Sequence, residues 1–135
     1  MNNLDFFLHN GVIVHNNANI GGSIVQGTTT QSVVSNTTIV TNTVIDSSDI
    51  ALIQSASYLI QIASVSGYQI TEVMLVHDGS NSYLSEYGRL STAGGVLARF
   101  DTVILNNQMH LTATSFDSSA KIWFHKTEIN SIHIP

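Results

Sequence analysis

The sequence predicts an all-β protein, an antiparallel β-sandwich of which the jelly roll is one form, entered by an extended N-terminal arm. Three observations predict it. From Ser57 onward apolar and polar residues alternate with period two. Turn residues interrupt that alternation about every 8–12 residues, the spacing of a sandwich or barrel. The single proline is the last residue, Pro135, so no strand is broken by a missing donor.

Each element follows from the pattern. The segment SYLIQIASV sets Tyr58, Ile60 and Ile62 on one side and Leu59, Gln61 and Ala63 on the other. Ser66-Gly67 then marks a hairpin turn. In YQITEVMLVH, Ile70, Met74 and Val76 share a side with Glu72, while Val73 and Leu75 take the other. Both sides are apolar, which predicts a strand buried on two faces near its middle. Asp78-Gly79-Ser80-Asn81 makes the next turn and SYLSEYGRL returns. STAGG separates it from VLARFDTVIL, where Val96, Ala98 and Phe100 align. NNQ turns into MHLTATSF with Met109, Leu111 and Ala113 in phase. DSS turns into AKIWFHKTEI, where Ile122 and Phe124 oppose Lys121, Trp123 and His125.

The first part of the chain reads differently. Residues 1–50 are rich in Asn, Thr, Ser and Gly, with only short β-branched runs such as Ile39-Val40 and Val44-Ile45. Such a segment has little core with which to offset the entropy of ordering it. The division expected is therefore an arm over 1–50 and a sandwich domain over 51–135, with the arm ordered by a neighbouring chain through strand addition or surface contact. Folding back on its own domain is the alternative. Asp46-Ser47-Ser48-Asp49 reads as a loop entering a strand, or as the cap of a single helical turn.

Composition excludes several function classes. The chain has 135 residues, no cysteine and a net charge of −5. No disulfide framework or thiolate metal site is available. All four basic residues, Arg89, Arg99, Lys121 and Lys126, follow Gly88 and form no cluster, so neither nucleic acid nor an anionic membrane is an expected partner. The longest strongly apolar stretch, VMLVH, is far short of the roughly 20 residues that span a bilayer. The N-terminus lacks the basic region and cleavage site of a signal peptide, so synthesis in the cytoplasm is expected.

Each chemically suggestive cluster has a simpler structural role beside the functional one. His77, Asp78 and Ser80 sit together, but a serine nucleophile needs an oriented base and an oxyanion hole, usually on a strand-to-helix elbow. Asp-Gly between alternating strands is a hairpin signal instead. His9 and His15 are too far apart on an extended chain to share a metal, roughly 20 Å. Asp46 and Asp49 could offer oxygen to calcium but lack an EF-hand pattern, and loop capping explains them equally well. Glu72 and Glu86 could be cross-strand neighbours, but two acids do not make a glycosidase. Tyr83, Tyr87 and Arg89 fall on one face by even spacing; that face, like Trp123, could stack on sugars, form an interface hot spot or pack across strands. No active site, cofactor site or metal site is predicted.

The segment ITEVMLVHDGSNSYLSEYGRLSTAGGVLARFD resembles a β module of virion structural proteins from tailed bacteriophages, particularly those infecting cyanobacteria and marine bacteria. The matching positions are Thr71, Glu72, His77, Asp78, Gly79, Tyr83, Glu86, Tyr87 and Gly88. The likeness covers residues 57–128, about half the chain. It implies a structural piece of the particle and not an enzyme. A small β domain behind an arm is, in such particles, typically a head decoration or cement protein, commonly a homotrimer over capsid subunit junctions. The resemblance thus implies a protein of the virion head surface that binds the major capsid protein or other virion proteins. Phe6, Phe7, Leu8, Ile13, Ile20 and Val25 are the expected apolar contacts of the arm. The alternative is a tail fibre, neck or receptor-binding module that recognises glycans through Tyr83, Tyr87, Arg89 or Trp123.

Overall fold

A computed structural model describes residues 13–131, with the side chains of 34–36 left aside. Nine antiparallel strands follow in order: β1 (Ile24–Gln26), β2 (Thr29–Ile39), β3 (Thr43–Asp49), β4 (Ile53–Ser64), β5 (Gly67–His77), β6 (Ser82–Ser91), β7 (Ala98–Leu105), β8 (Gln108–Ser115) and β9 (Ala120–Asn130). They form a six-stranded sheet, β1-β2-β9-β4-β5-β6, and a three-stranded sheet, β3-β8-β7. The protein is an antiparallel β-sandwich. Its two ends wind back together, β2 on β9 and β3 on β8, the nested pairing of a rolled ribbon.

The period-two pattern places the core. Ile60 and Ile62 of β4, Val73 and Leu75 of β5, and Ile122 and Phe124 of β9 point inward from the large sheet. Met109, Leu111 and Ala113 of β8 meet them from the small one. Side chains fully removed from water in this way stabilise by roughly 1.5–3 kcal/mol each.

Turn chemistry sets the registers. Ser64 pairs with Gly67, so the β4–β5 turn is Val65-Ser66, one residue earlier than the sequence suggests. Gly67 has φ +143°, and a Cβ there would lie 2.6 Å from Thr92 Oγ1. Asn106 and Asn107, at φ 52° and 60°, make the two-residue β7–β8 turn in the left-handed geometry that matches strand twist.

Residues 29–49, grouped with the arm by composition, run as β2 and β3. Ile39 and Ile45 lie in the core. Long-range pairing with β9 and β8 supplies the burial that their own composition lacks. Asp46–Asp49 belongs to β3 and is neither loop nor helical turn. A bulge between Val44 and Asp46 lets Ile45 lie buried while Asp46 pairs opposite the core residue Leu111.

One expectation about β5 is corrected. Gln69, Thr71, Val73 and Leu75 face the core, but Ile70, Met74 and Val76 remain 38–47 % exposed. The strand is covered on one side only within a single chain.

Candidate functional site

The outer face of the six-stranded sheet is the most distinctive surface. Its registers arrange outward side chains in cross-strand rows. One row runs Val33, His125, Leu59, Glu72, Tyr87 across β2, β9, β4, β5 and β6. On one side of it lies Trp123, Gln61, Ile70, Leu90; on the other, Thr127, Ser57, Met74, Ser85, and beyond that Ile129, Ser55, Val76, Tyr83. Apolar side chains are interleaved with hydroxyl, amide, carboxylate and imidazole groups. Val33 and Leu90 are both 72 % exposed and Tyr68 60 %.

Small residues leave hollows between the larger ones. Ser55, Ser57 and Ser85 floor a hollow of about 350 Å³ walled by Met74, Val76, Tyr83 and Ile129. A smaller polar hollow of about 130 Å³ lies among Ser57, Leu59, Glu72, Tyr87 and His125. There the Tyr87 hydroxyl donates to the Glu72 carboxylate, and that bond raises the tyrosine's pKa.

The predicted surface residues divide. Tyr83, Tyr87 and Trp123 do share this face. Arg89 does not occupy the next outward place. The register shifts between Ile70 and Glu72, with Gly88 in the left-handed region at φ 65°, so Leu90 pairs with Ile70 in the row where even spacing expected Arg89. Arg89 instead lies 3.9 Å from Glu86. Glu72 and Glu86 are on opposite faces of the sheet, since Glu72 pairs with Tyr87 and Glu86 with Val73. Of the arm residues, Ile13, Ile20 and Val25 are exposed, while Phe6, Phe7, Leu8 and His9 lie outside the described residues.

His77, Asp78 and Ser80 form a turn. His77 is buried; its Nε2 donates to the Ile53 carbonyl at 2.7 Å and its Nδ1 accepts from the Gly79 amide at 3.1 Å. Both ring nitrogens are occupied, leaving none to activate a serine. Asp78 Oδ1 accepts from the amides of Ser80 and Asn81, and Oδ2 from the Tyr83 hydroxyl. The Asn81 amide, then Ser80 and Tyr83, hold the Asp78 pKa down at about 2.

Sequence reasoning missed an ion cluster between the sheets. Lys126 is buried and bonds Asp46 Oδ2 at 2.6 Å and also Glu128. Tyr58 donates to the same Asp46 oxygen at 2.8 Å. Burial, then the Asp46 charge, pushes the Tyr58 pKa well up. The signal was present: Lys126 is in phase with Ile122 and Phe124, so it must point inward. With the lysine between them, the two carboxylates form a structural pin. No group of metal-binding side chains occurs among the described residues.

No family model and no curated protein matches the chain. Similar solved structures include the tailspike protein of Acinetobacter phage vB_ApiP_P1, at 15 % identity over 94 % of this chain and 24 % of that one, TM-score 0.43. The tailspike of Acinetobacter baumannii phage AM24 has 17 % identity over 77 % and 27 %, TM-score 0.41. Tailspike gp49 of A. baumannii bacteriophage Fri1, a capsular polysaccharide depolymerase, has 10 % identity over 82 % and 19 %, TM-score 0.40. The chain spans about a quarter or less of these tailspikes. The expectation that the chain is not an enzyme is corrected on this finding, since one of these neighbours is itself a depolymerase.

Proposed function

We propose that the protein is a module of a bacteriophage tail spike or fibre, working within a homo-oligomer, whose outer six-stranded face is buried in the assembled particle. The carrying observation is that this face exposes many apolar side chains, Tyr68, Tyr83, Tyr87 and Leu90 among them, interleaved with polar groups. Patches of this kind mark interaction surfaces, and Tyr and Trp dominate their energetics. The resemblance of residues 57–128 supports a virion setting. The tail takes the place of the head surface and the major capsid protein as the assigned location and partner.

Two measurements on intact particles of the source phage test this. Gold-labelled antibody should decorate the tail; label spread over the head would sink the tail assignment. Hydroxyl-radical footprinting should find Met74 and Trp123 protected in the particle. Full reactivity there would sink the buried-face reading.

A second reading is favoured by the polar hollow at Ser57, Glu72, Tyr87 and His125. Aromatic rings beside such groups suit a host glycan, with Tyr83 and Trp123 near by. Under that reading Tyr87→Ala abolishes glycan binding and leaves assembly unchanged. The arm contacts stay part of the proposal: deleting residues 1–25 should leave a folded sandwich that no longer joins the particle.

A further inference from the structure

We infer that residues 7–13 of one copy lie as an extended strand along β5, on the outer sheet face of a neighbouring copy. Phe7 and Ile13 fill two apolar hollows there, and His9 sits on Glu72 between them. This rests on the assembly reading above and names the occupant of that face.

The shape of the face is the first argument. Three hollows follow one another along β5. The first, about 350 Å³, is walled by Met74, Val76 and Tyr83 over its serine floor. The polar one, about 130 Å³, holds Glu72 and Tyr87. The third, about 400 Å³, lies among Gln61, Tyr68, Ile70 and Leu90. Their order is apolar, polar, apolar, set by the outward residues Met74, Glu72, Ile70 and Tyr68 at period two. The occupant such a groove fits is an extended strand with the same order at the same period.

The sequence of the arm is the second argument. In an extended segment Phe7, His9, Gly11 and Ile13 fall on one side. Laid antiparallel to β5, Phe7 meets Met74, His9 meets Glu72, Gly11 meets Ile70 and Ile13 meets Tyr68. Both series span about 20 Å. The Glu72 carboxylate, already accepting from the Tyr87 hydroxyl, has lone pairs left for an imidazole donor. Gly11 has no side chain to collide with Ile70. Asp5 falls at Val76, next to the exposed turn over residues 78–81, where water solvates it. The hydroxyls of Ser57 and Ser85 and the Gln61 amide can bond the segment's backbone, which gives the polar groups of this face a use.

The donor is a neighbouring copy. β1, which the arm leads into, is the edge of the sheet remote from β5. To reach its own β5 the chain would have to cross β2, β9 and β4. Every residue from Ile13 to Thr28 is exposed, Ile13 by 86 %, and Val33 of β2 stays 72 % exposed. The described part of the arm therefore leaves its own sheet uncovered. Donor segment and acceptor groove are different surfaces, so the contact is head-to-tail and closes copies into a ring, a trimer among them.

The test is cross-linking of the full 135-residue chain with a short bismaleimide. The chain has no cysteine, so Gly11→Cys combined with Ile70→Cys reports that one proximity. The expected product is a covalent oligomer of 14.6 kDa units, absent from either single variant. An internally linked monomer, or no link, overturns the inference. Sedimentation equilibrium then tests the anchors, with circular dichroism as the folding control. Phe7→Asp should weaken self-association at least ~30-fold, the size of a hot-spot loss. Phe6→Asp, on the other side of the strand, should leave it unchanged. Glu72→His should weaken it, and adding His9→Glu should restore it. A monomeric native chain, or equal effects of Phe7→Asp and Phe6→Asp, overturns the inference. If it fails while Met74 and Trp123 stay protected in the particle, the assembly reading stands with another occupant. If those residues are reactive in the particle, the assembly reading has failed as well.

Discussion

The two outer faces of the sandwich are built on the same period-two alternation and end up unlike each other. On the three-stranded sheet the outward positions include Arg99, Asp101, Ser47 and His110, the last two joined by a 2.6 Å hydrogen bond, with Val44, Val103 and Leu105 among them. That is an ordinary solvated face, polar side out. On the six-stranded sheet the same alternation delivers Leu59, Ile70, Met74, Val76 and aromatic rings to the surface. The difference teaches that alternation assigns residues to faces, whereas side-chain chemistry decides what each face needs. The small sheet's outer face is finished by water. The large sheet's outer face has the composition of a half-built core.

The contrast depends on a rigid frame between the faces, so the largest effect comes from breaking that frame. Lys126→Ala leaves Asp46 and Glu128 without their cation between the sheets. Removing one partner of a buried pair destabilises by about 3–5 kcal/mol. Urea denaturation should show a loss of that order, and a change below about 1 kcal/mol would mean the pin is dispensable.

Next in size is Gly67→Ala at the hairpin that carries the centre of the apolar face. The added Cβ meets Thr92 Oγ1 at 2.6 Å on a backbone of positive φ. A loss above about 1 kcal/mol is expected, more than the entropy an alanine gains by restricting the unfolded chain. Thermal unfolding checks it, and an unchanged midpoint would contradict the close approach.

Paired surface substitutions sharpen the comparison directly. Leu90→Ser and Leu105→Ser should each change the stability of the single chain by no more than about 0.5 kcal/mol, both sites being exposed. Only Leu90→Ser should weaken association. Equal effects on association would erase the distinction between the faces.

The smallest effect is on pH dependence at the corner beside Tyr83. The Asp78 pKa is lowered from 3.8 to about 2 in the folded protein. The folded state therefore binds fewer protons, and the stabilisation is present above about pH 4 and lost as pH falls through 3.8 towards 2. Asp78→Asn should flatten that part of the stability profile; an unchanged acid limb would show that the turn hydrogen bonds do not act on this carboxyl.

Much of the sandwich was legible. The inward sets of β4, β8 and β9 follow from alternation, and the turns at 78–81 and 105–108 from Asp-Gly and Asn-Asn chemistry. What escaped was non-local. β2 and β3 looked too polar to be structural because their partners are β9 and β8, far along the chain. Arg89 was misplaced because one extra residue at Gly88 reverses the parity of everything beyond it. The Lys126 cluster was missed because parity indicated an inward lysine, but only the facing sheet reveals that Asp46 meets it.

The sequence by itself determined that this is a β-sandwich, where most strands turn, and which residues of each strand share a side, because those properties depend on neighbours one or two residues away. Tertiary structure alone decided which strands pair, where bulges shift the register, and that His125, Leu59, Glu72 and Tyr87 form one row. The physical reason is that strand pairing is a contest among distant segments for backbone hydrogen bonds and apolar cover, and its outcome is a property of the whole chain.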